Sequence, residues 1–563
     1  MKILFEEYQY NTKSLLSVIG ERYYLPINAI YSKIQYVGYY FNPKADNGKG
    51  DVVIIFPKVF INKDLKAFDE FSPEELINPT KEILDRLKIS GKDKIIFEIS
   101  TWLFRAIQQY NKRHLYNSIS ESQVINQVIS NLDDKSNTEL EINTSLFKFF
   151  KENQNLFTFI AKTSHSQQHK INWAKTINKK KPIIQNNQPF YIEVNSKKKK
   201  INEEEELIIL FYSTLNFIKD KYAFELQLPQ QYDLIKGNQF EAMLRNGCRY
   251  LKSIKYKYYS DKMLNLYNLL YAYFERSESI QSKKQIEEIL LIKDFNIVFE
   301  DMIDDLIGDN NLLKGLKNHP DGKQLDHIYK YKSLILDDSI YFVGDSKYYQ
   351  PNTAVGSNSK AKQFTYAKNV IQHNIKLFND NKLDDSLRYR ENTTEGYNIT
   401  PNFFISAFVN KEFDFTKSHL KDNGKTISQY HFENRLFDRD TLFVQSYDIN
   451  FLFVLSAYIS KNSALRANFK KDTQKHFRDK LVDYIDDKYN FYIAKPKLPL
   501  TSDNFITKHF KLLNGKIYKP SQLEDELIVA FEKTSSYEEI IEIIEVDCLT
   551  FKQYHISPLP IVL

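Results

Sequence analysis

Residues 340–349 read Ile340-Tyr341-Phe342-Val343-Gly344-Asp345-Ser346-Lys347-Tyr348-Tyr349, an apolar strand pattern that leads into an aspartate and a lysine. Side chains alternate between the two faces of a β-strand, so Asp345 and Lys347 are expected on the same face. Because Asp345 follows four apolar or small residues, a strand in a core is favoured over a surface hairpin with incidental charges. The surface hairpin stays the alternative, since an aspartate and a lysine at this spacing also arise by chance in a charged chain of 563 residues.

Two further acidic residues precede this strand. Ile286 to Leu306 show a helical pattern, and Glu300 lies on that predicted helix. Leu325 to Tyr331 and the polar residues 337–339 predict a strand and a turn. If the strand that begins near Asp326 pairs with the quoted strand, a helix followed by a hairpin brings three carboxylates and one ammonium to a single site.

The predicted helix carries more than one acid that could face this site. Glu300 is preferred, but Asp301 and Asp304 stay open, since an error of one residue rotates a helix by ~100°.

This set of side chains fits the hydrolysis of a phosphodiester bond. That reaction uses a hard divalent cation, oxygen ligands that hold it, and a base or cation beside the attacking water. Asp326 and Asp345 are the expected metal ligands, and Glu300 completes the surroundings of the metal. Lys347 is expected to orient or help deprotonate the water and to stabilise the charged transition state. Mg²⁺ is the cation that oxygen-only ligands fit best.

From about Ile286 to Leu377 the chain resembles the PD-(D/E)XK nuclease core. Gln363-Phe364-Thr365-Tyr366 is similar to the Gln/Tyr helix of the restriction and RecB-like branches, and the resemblance makes Gln363 a site residue. That motif often has three residues between Gln and Tyr but has two here, which leaves the role of Tyr366 open. The literal Pro-Asp pair ends in Asp321, yet Asp326 is preferred as the ligand because Asp321 lies in a predicted loop.

Across nearly its full length the chain resembles McrC-type subunits of the LlaJI restriction-endonuclease group. The resemblance rests on the order of several strings along the chain, namely Ile3-Leu4-Phe5-Glu6-Glu7, Val37-Gly38-Tyr39, Ile54-Ile55-Phe56-Pro57-Lys58, Ile171-Asn172-Trp173-Ala174-Lys175-Thr176 and Asn434-Arg435-Leu436-Phe437-Asp438-Arg439-Asp440-Thr441-Leu442. It implies a subunit that cuts double-stranded DNA within a restriction system. It also implies a McrB-like AAA+ GTPase or ATPase as partner, a DNA methyltransferase in the same system, and an N-terminal half that docks onto the AAA+ ring.

The length of the chain indicates how many domains it forms. At ~150 residues per domain, 563 residues predict three to four packed units, which excludes a single small binding module. We expect an α/β multidomain protein with a β-containing N-terminal region over 1–110 and a mainly helical region over 111–280. A PD-(D/E)XK mixed sheet flanked by helices follows over 281–460, and an α/β extension over 461–563.

Charge and cysteine content limit the binding partners and the cellular compartment that we expect for this chain. The formal net charge is only +6, from 78 Lys and Arg against 72 Asp and Glu, so any polyanion must be met by a local basic patch. Two cysteines are too few for a disulfide scaffold. With no apolar run of ~18 residues and no secretory start at Met1 to Tyr10, we expect a cytoplasmic protein without membrane contact.

Several other motifs have plain structural interpretations. His165 and His169 have the spacing of two metal ligands, but two histidines alone do not close a site. Gly424-Lys425-Thr426 ends like a P-loop but lacks its first glycine, so we expect no nucleotide to be bound by this chain. The basic block 197–200 is expected to be a solvated turn, and the aromatic and basic stretch 250–259 is either a helix start or a contact for DNA or a partner.

Two rival functions remain. One is an adaptor that activates the AAA+ partner with a dispensable nuclease site, and the other is a self-sufficient repair nuclease of the same superfamily. The large N-terminal half counts against the second, because a stand-alone nuclease needs little more than the core and an element that reads DNA.

Overall fold

The structure is a computed structural model. It describes residues 1–42, 50–116, 128–130, 138–154, 156, 158–164, 170–222, 226–281, 288–309, 316–317, 325–335, 339–348, 356–379, 399–423, 427–429, 434–438, 441–460, 462–520 and 525–556.

The N-terminal part is rich in strands and is followed by two helices. Its elements are β1 (Lys2–Phe5), β2 (Gln9–Asn11), α1 (Thr12–Leu16), β3 (Tyr24–Pro26), β4 (Tyr31–Ile34), β5 (Tyr36–Asn42), β6 (Asp51–Phe56), α2 (Lys81–Ile89) and α3 (Lys92–Tyr116). β5 and β6 are neighbours in this part and pair antiparallel from Gly38 with Ile55 to Asn42 with Asp51.

The middle part is mainly helical, as predicted, with small pairs of strands between the helices. Its elements are β7 (Val128–Ser130), α4 (Glu139–Glu152), β8 (Phe159–Ser164), α5 (Trp173–Lys179), β9 (Ile183–Gln185), β10 (Gln188–Phe190), β11 (Ser196–Ile201), α6 (Glu206–Tyr222), α7 (Gly237–Ile254) and α8 (Asp261–Gln281).

The expectation of a turn at 197–200 is wrong, because these residues pair with β8 within β11. Lysines suit such an edge, where their charge discourages pairing with another chain.

The part that carries the candidate site alternates strands and helices. Its elements are β12 (Glu288–Lys293), α9 (Asn296–Ile307), β13 (His327–Lys332), β14 (Ser339–Lys347), α10 (Ser357–Asn379), β15 (Thr400–Phe408), β16 (Lys421–Asp422), β17 (Ile427–Gln429), β18 (Leu442–Asn450) and α11 (Phe451–Ile459). The C-terminal part adds α12 (Ser463–Lys488), β19 (Tyr489–Pro496), α13 (Ser502–Leu513), β20 (Ile517–Tyr518), β21 (Leu527–Glu532), α14 (Glu538–Glu545) and β22 (Cys548–Tyr554).

The helix predicted from Ile286 to Leu306 is wrong in its first half. Glu288–Lys293 is strand β12, which pairs antiparallel with both β5 and β7 in the sheet ordered β1-β6-β5-β12-β7. The apolar run Ile289 to Ile292 is buried. A short continuous apolar run suits a fully buried strand as well as a helix, so periodicity alone does not separate the two. One consequence is that β12 lies beyond the predicted border at 280 but joins the N-terminal sheet; the four region boundaries stay predictions.

A mixed sheet carries the quoted strand. Within the described residues its order is β13-β14-β15-β18-β16, with β17 also pairing with β18. β13 is antiparallel to β14, whereas β14, β15 and β18 run parallel to one another. The helix and hairpin predicted before Asp345 are therefore present as α9, β13 and β14.

Helices cover both faces of this sheet. Phe404, Leu442 and Val444 pack against Ala367 of α10 on one face. On the other face Phe477 of α12 stacks on Tyr447, with ring centroids 4.1 Å apart, and contacts Phe403. The sheet thus separates two apolar layers, and polar groups are left at its ends.

The N-terminal sheet and the mixed sheet share one apolar core. Phe60, just after β6, contacts Phe451 at the start of α11, with ring centroids 5.7 Å apart. The buried Glu6 carboxylate, at the end of β1, accepts a hydrogen bond of 2.9 Å from the Tyr348 hydroxyl. Within the described part of the chain, no helix has the length and apolarity needed to cross a bilayer.

Candidate active site

Strand register places Asp326 opposite Asp345. His327 pairs with Gly344 in the antiparallel ladder, so the next pair outward is Asp326 with Asp345. Directly opposed residues of an antiparallel pair lie on the same face, with Cβ atoms ~5 Å apart. Asp345 is only 1% exposed, so two carboxylates meet at the end of a buried strand pair.

Lys347 lies beside this pair. Its ammonium forms an ion pair with the Asp345 carboxylate and lies 5.6 Å from the centre of the Phe404 ring. Asp345 aligns with Phe404 on the neighbouring parallel strand, which puts all three side chains on one face of the sheet. The side-chain alternation predicted for Asp345 and Lys347 is therefore present in the structure.

Burial and nearby negative charges raise the pKa of the Asp326 carboxyl. Burial raises the pKa of the Asp326 carboxyl far above its usual range, and a hydrogen bond with Asp345 and the charges of Glu300 and Asp345 raise it further. Two carboxylates that face each other in a buried site cannot both carry a full charge at low cost. A proton or a cation must lie between them.

Glu300 is the acid of α9 that faces this pair. Burial raises its pKa, and Asp345 adds to that shift while His327 and a hydrogen bond from Asn296 oppose it. Asp304 on the same helix instead pairs with Lys317.

Asp301 points in a different direction. Its carboxylate accepts hydrogen bonds from His114 at 3.1 Å and from Tyr458 at 2.5 Å. The packing of α9 thus turns Glu300, and not Asp301, towards Asp326 and Asp345. The role of Glu300 at a metal site stays a prediction.

Gln363 is tied into the sheet. Its side chain is fully buried, and its amide nitrogen donates to the Val343 carbonyl at 3.0 Å and to Asn402 Oδ1 at 3.1 Å. An amide nitrogen has two hydrogens, so both are used in holding β14 and β15 beside α10. The catalytic assignment of Gln363 stays a prediction, and its contacts are those of a residue that positions strands β14 and β15.

Lys362 is a site residue that sequence reasoning missed. It interacts electrostatically with Asp326, Asp345 and Glu300. Its ammonium lies 5.1 Å from the centre of the Tyr366 ring, one helical turn further along α10. The signal was present in the sequence, because Lys362 and Tyr366 are separated by three residues, the spacing that Gln363 and Tyr366 lack.

The donor types suit a hard cation. Asp326, Asp345 and Glu300 supply only oxygen atoms, which Mg²⁺ prefers, and the opposed pair needs a positive charge between its members. Among the residues that the structure describes, no group of three or more His, Cys, Asp or Glu side chains has the arrangement of a formed metal site. The three carboxylates therefore fit the cation by the chemistry of their donor atoms.

The other motifs noted in the sequence, and His327 beside the site, have the following places in the structure. His165 and His169, Asp321 and Gly424-Lys425-Thr426 lie outside the described residues. His327 faces away from Asp326, as expected for its neighbour on a strand, and its Nε2 atom lies 2.5 Å from Ser346 Oγ. The stretch 250–259 is not a helix start, because residues 250–254 are the last residues of α7, and Tyr256 and Tyr259 beyond its end are exposed. Contact of this stretch with DNA or a partner stays a prediction.

Comparison with known proteins identifies the family. The family model described as LlaJI restriction endonuclease matches residues 85–416, which are 332 of the 563 residues. The chain therefore belongs to the LlaJI restriction endonuclease family, a family of DNA endonucleases.

Comparisons with curated proteins and with solved structures do not extend the family assignment. No curated protein matches significantly. Among solved structures, the chain is similar to one in a half-complex from a tetradecameric assembly of Thermococcus gammatolerans McrB AAA+ hexamers with bound McrC. The identity is 12%, the match covers 84% of this chain and 99% of that chain, and the TM-score is 0.27. At that score the likeness carries no argument about this chain.

Proposed function

We propose that this chain is the Mg²⁺-dependent nuclease subunit of a DNA restriction complex, and that its site is of the PD-(D/E)XK type. One observation carries the proposal: Asp326 is directly opposite Asp345 in the strand register, and Lys347 lies two residues further on the same face. Membership of a restriction endonuclease family supports the same conclusion.

The proposed chemistry assigns a role to each side chain. Asp326 and Asp345 would hold the Mg²⁺ ion with Glu300 as a third oxygen donor, and the bound ion would supply positive charge to the phosphate. Lys347, held beside Asp345, offers N–H donors that orient the attacking water and stabilise the negative charge that develops. The low exposure of Asp345 and Lys347 strengthens these interactions, because water screens them little.

The proposed setting rests on the resemblance to McrC-type subunits of the LlaJI group. We propose that the chain acts on double-stranded DNA together with a McrB-like AAA+ GTPase or ATPase, in a system that also contains a DNA methyltransferase. Nucleotide hydrolysis is assigned to that partner and cleavage to this chain.

The proposal is tested by cleavage of plasmid DNA with Mg²⁺ and nucleotide, with and without the AAA+ protein encoded beside this chain. Asp345→Asn should abolish cleavage and leave stimulation of the partner's nucleotide hydrolysis intact. Asp448→Asn is the matched control, because Asp448 is also at the end of a strand of this sheet but pairs with Asn423 and Lys421. It should cut like the wild type.

Two results would replace the proposal. If no condition gives cleavage and both variants stimulate the partner equally, the chain is an activator without nuclease activity. If the wild type cuts fully in the absence of partner and nucleotide, it is a self-sufficient nuclease.

A further inference from the structure

The helix that follows the catalytic strand presents a lysine and a tyrosine to the site. Lys362 and Tyr366 are four residues apart on α10 and therefore lie on the same side of the helix. The ammonium of Lys362 is 5.1 Å from the centre of the Tyr366 ring. Tyr366 is 4% exposed and Lys362 is exposed, so a fixed ring holds a cation at the surface. A cation over an aromatic face is attracted by the ring quadrupole.

The charges around the site indicate what Lys362 can bind. Lys347 is already paired with Asp345. Lys362 interacts electrostatically with all three acidic residues, yet none of the described carboxylates lies within ion-pair distance of it. A divalent cation on those carboxylates would cancel their attraction for Lys362. One of the three N–H donors of Lys362 is used in a hydrogen bond with the Tyr366 side chain, and the other two are then available to an anion at the mouth of the site.

We propose that Lys362, held over the Tyr366 ring, binds a backbone phosphate of the DNA strand that is cut. This inference rests on the proposed nuclease function and adds a substrate-binding residue to the same site. A phosphate is the anion that DNA brings to the site, and an exposed lysine binds it as a point charge. The aromatic platform restricts the long lysine side chain and so reduces the entropy lost when the phosphate binds.

The chain offers a matched control on the same helix. Lys368, six residues further along α10, lies 4.4 Å from the centre of the Phe364 ring, which is also four residues away but on the N-terminal side of the lysine. Phe364 packs with Ala367 and Phe404 in the apolar layer. Replacing Lys368 therefore tests whether the loss of any ring-stacked lysine from α10 weakens DNA binding.

The experiment compares Lys362→Ala, Lys362→Arg and Lys368→Ala in the full chain with its AAA+ partner. Binding of a DNA duplex is measured with Ca²⁺ in place of Mg²⁺ at several salt concentrations, and the single-turnover cleavage rate is measured with Mg²⁺. Lys362→Ala should weaken DNA binding about tenfold or more, the loss expected for a hydrogen bond to a charged group. Its plot of log affinity against log salt should be shallower by about 0.9, since one phosphate contact is lost.

Lys362→Arg should restore binding, and Lys368→Ala should match the wild type in both measurements. Equal losses in Lys362→Ala and Lys368→Ala, or wild-type binding with an unchanged salt slope in Lys362→Ala, would overturn the inference. The nuclease proposal fails separately if the wild type does not cut DNA, because the Ca²⁺ binding data still decide whether Lys362 contacts a phosphate.

Discussion

Replacing Gln363 with methionine tests whether this residue positions the catalytic strand or takes part in catalysis. Methionine keeps the length of the side chain but removes the two hydrogen bonds to the Val343 carbonyl and to Asn402 Oδ1. A buried hydrogen bond contributes about 1 kcal/mol net, so the variant should lose about 2 kcal/mol of local stability. That loss corresponds to about 30-fold faster opening of the segment.

Hydrogen exchange followed by mass spectrometry measures this opening in β14 and β15 directly. Thr365→Ala is the control, because the Thr365 hydroxyl donates an exposed hydrogen bond to the Ala361 carbonyl of its own helix. We expect amides of β14 and β15 to exchange about 30-fold faster in Gln363→Met and at the wild-type rate in Thr365→Ala. Unchanged exchange in Gln363→Met together with lost DNA cleavage would refute this reasoning and support the catalytic assignment made from sequence.

Two further predictions concern the site and its strand. Burial and the neighbouring Asp345 raise the pKa of Asp326 in the folded protein, so without metal the folded state keeps a proton that the unfolded chain releases near pH 4. The free energy of unfolding should therefore fall as the pH rises from about 4 into the alkaline range, and Asp326→Asn should remove that slope in denaturant titrations across pH; an equally steep slope in the variant would contradict the assignment. Gly344→Ala should lower the thermal unfolding temperature, because its Cβ would lie 2.1 Å from the Phe403 ring, and overpacking of this kind costs about 1–3 kcal/mol. Gly356→Ala, whose Cβ meets no atom within 4 Å, is the control, and an equal shift in both variants would show that the Phe403 contact is not the cause.

The strand pair at the site could be predicted from sequence because its pattern has a period of two. An apolar strand that ends in Asp345 and Lys347, with a second strand beginning near Asp326, fixes which face each strand buries, because a one-residue slip would turn every side chain of one strand to the other face. The two strands pair in the structure. Glu300 was predicted with less support, because helix rotation depends on packing partners far away in sequence.

Where sequence reasoning falls short, packing is the physical reason. The sequence pattern predicts helix where strand β12 lies, because four consecutive apolar residues carry no periodicity that distinguishes the two. On α10 the sequence indicates Gln363 but not its neighbour Lys362, because one residue on a helix changes the direction of a side chain by about 100°. Which residue faces inward is decided by contacts such as those of Gln363 with Val343 and Asn402.

The short connection between β12 and α9 has a mechanical consequence. β12 is hydrogen-bonded on both sides within the N-terminal sheet, and only Asp294 and Phe295 separate its last residue from the first residue of α9. Asp294 adopts a left-handed backbone conformation, and its N–H donates a hydrogen bond to the Gln35 carbonyl. This short turn is therefore held in place by the N-terminal part. A force applied to the N-terminal sheet therefore passes along the backbone into the helix that carries Glu300, without crossing a flexible linker.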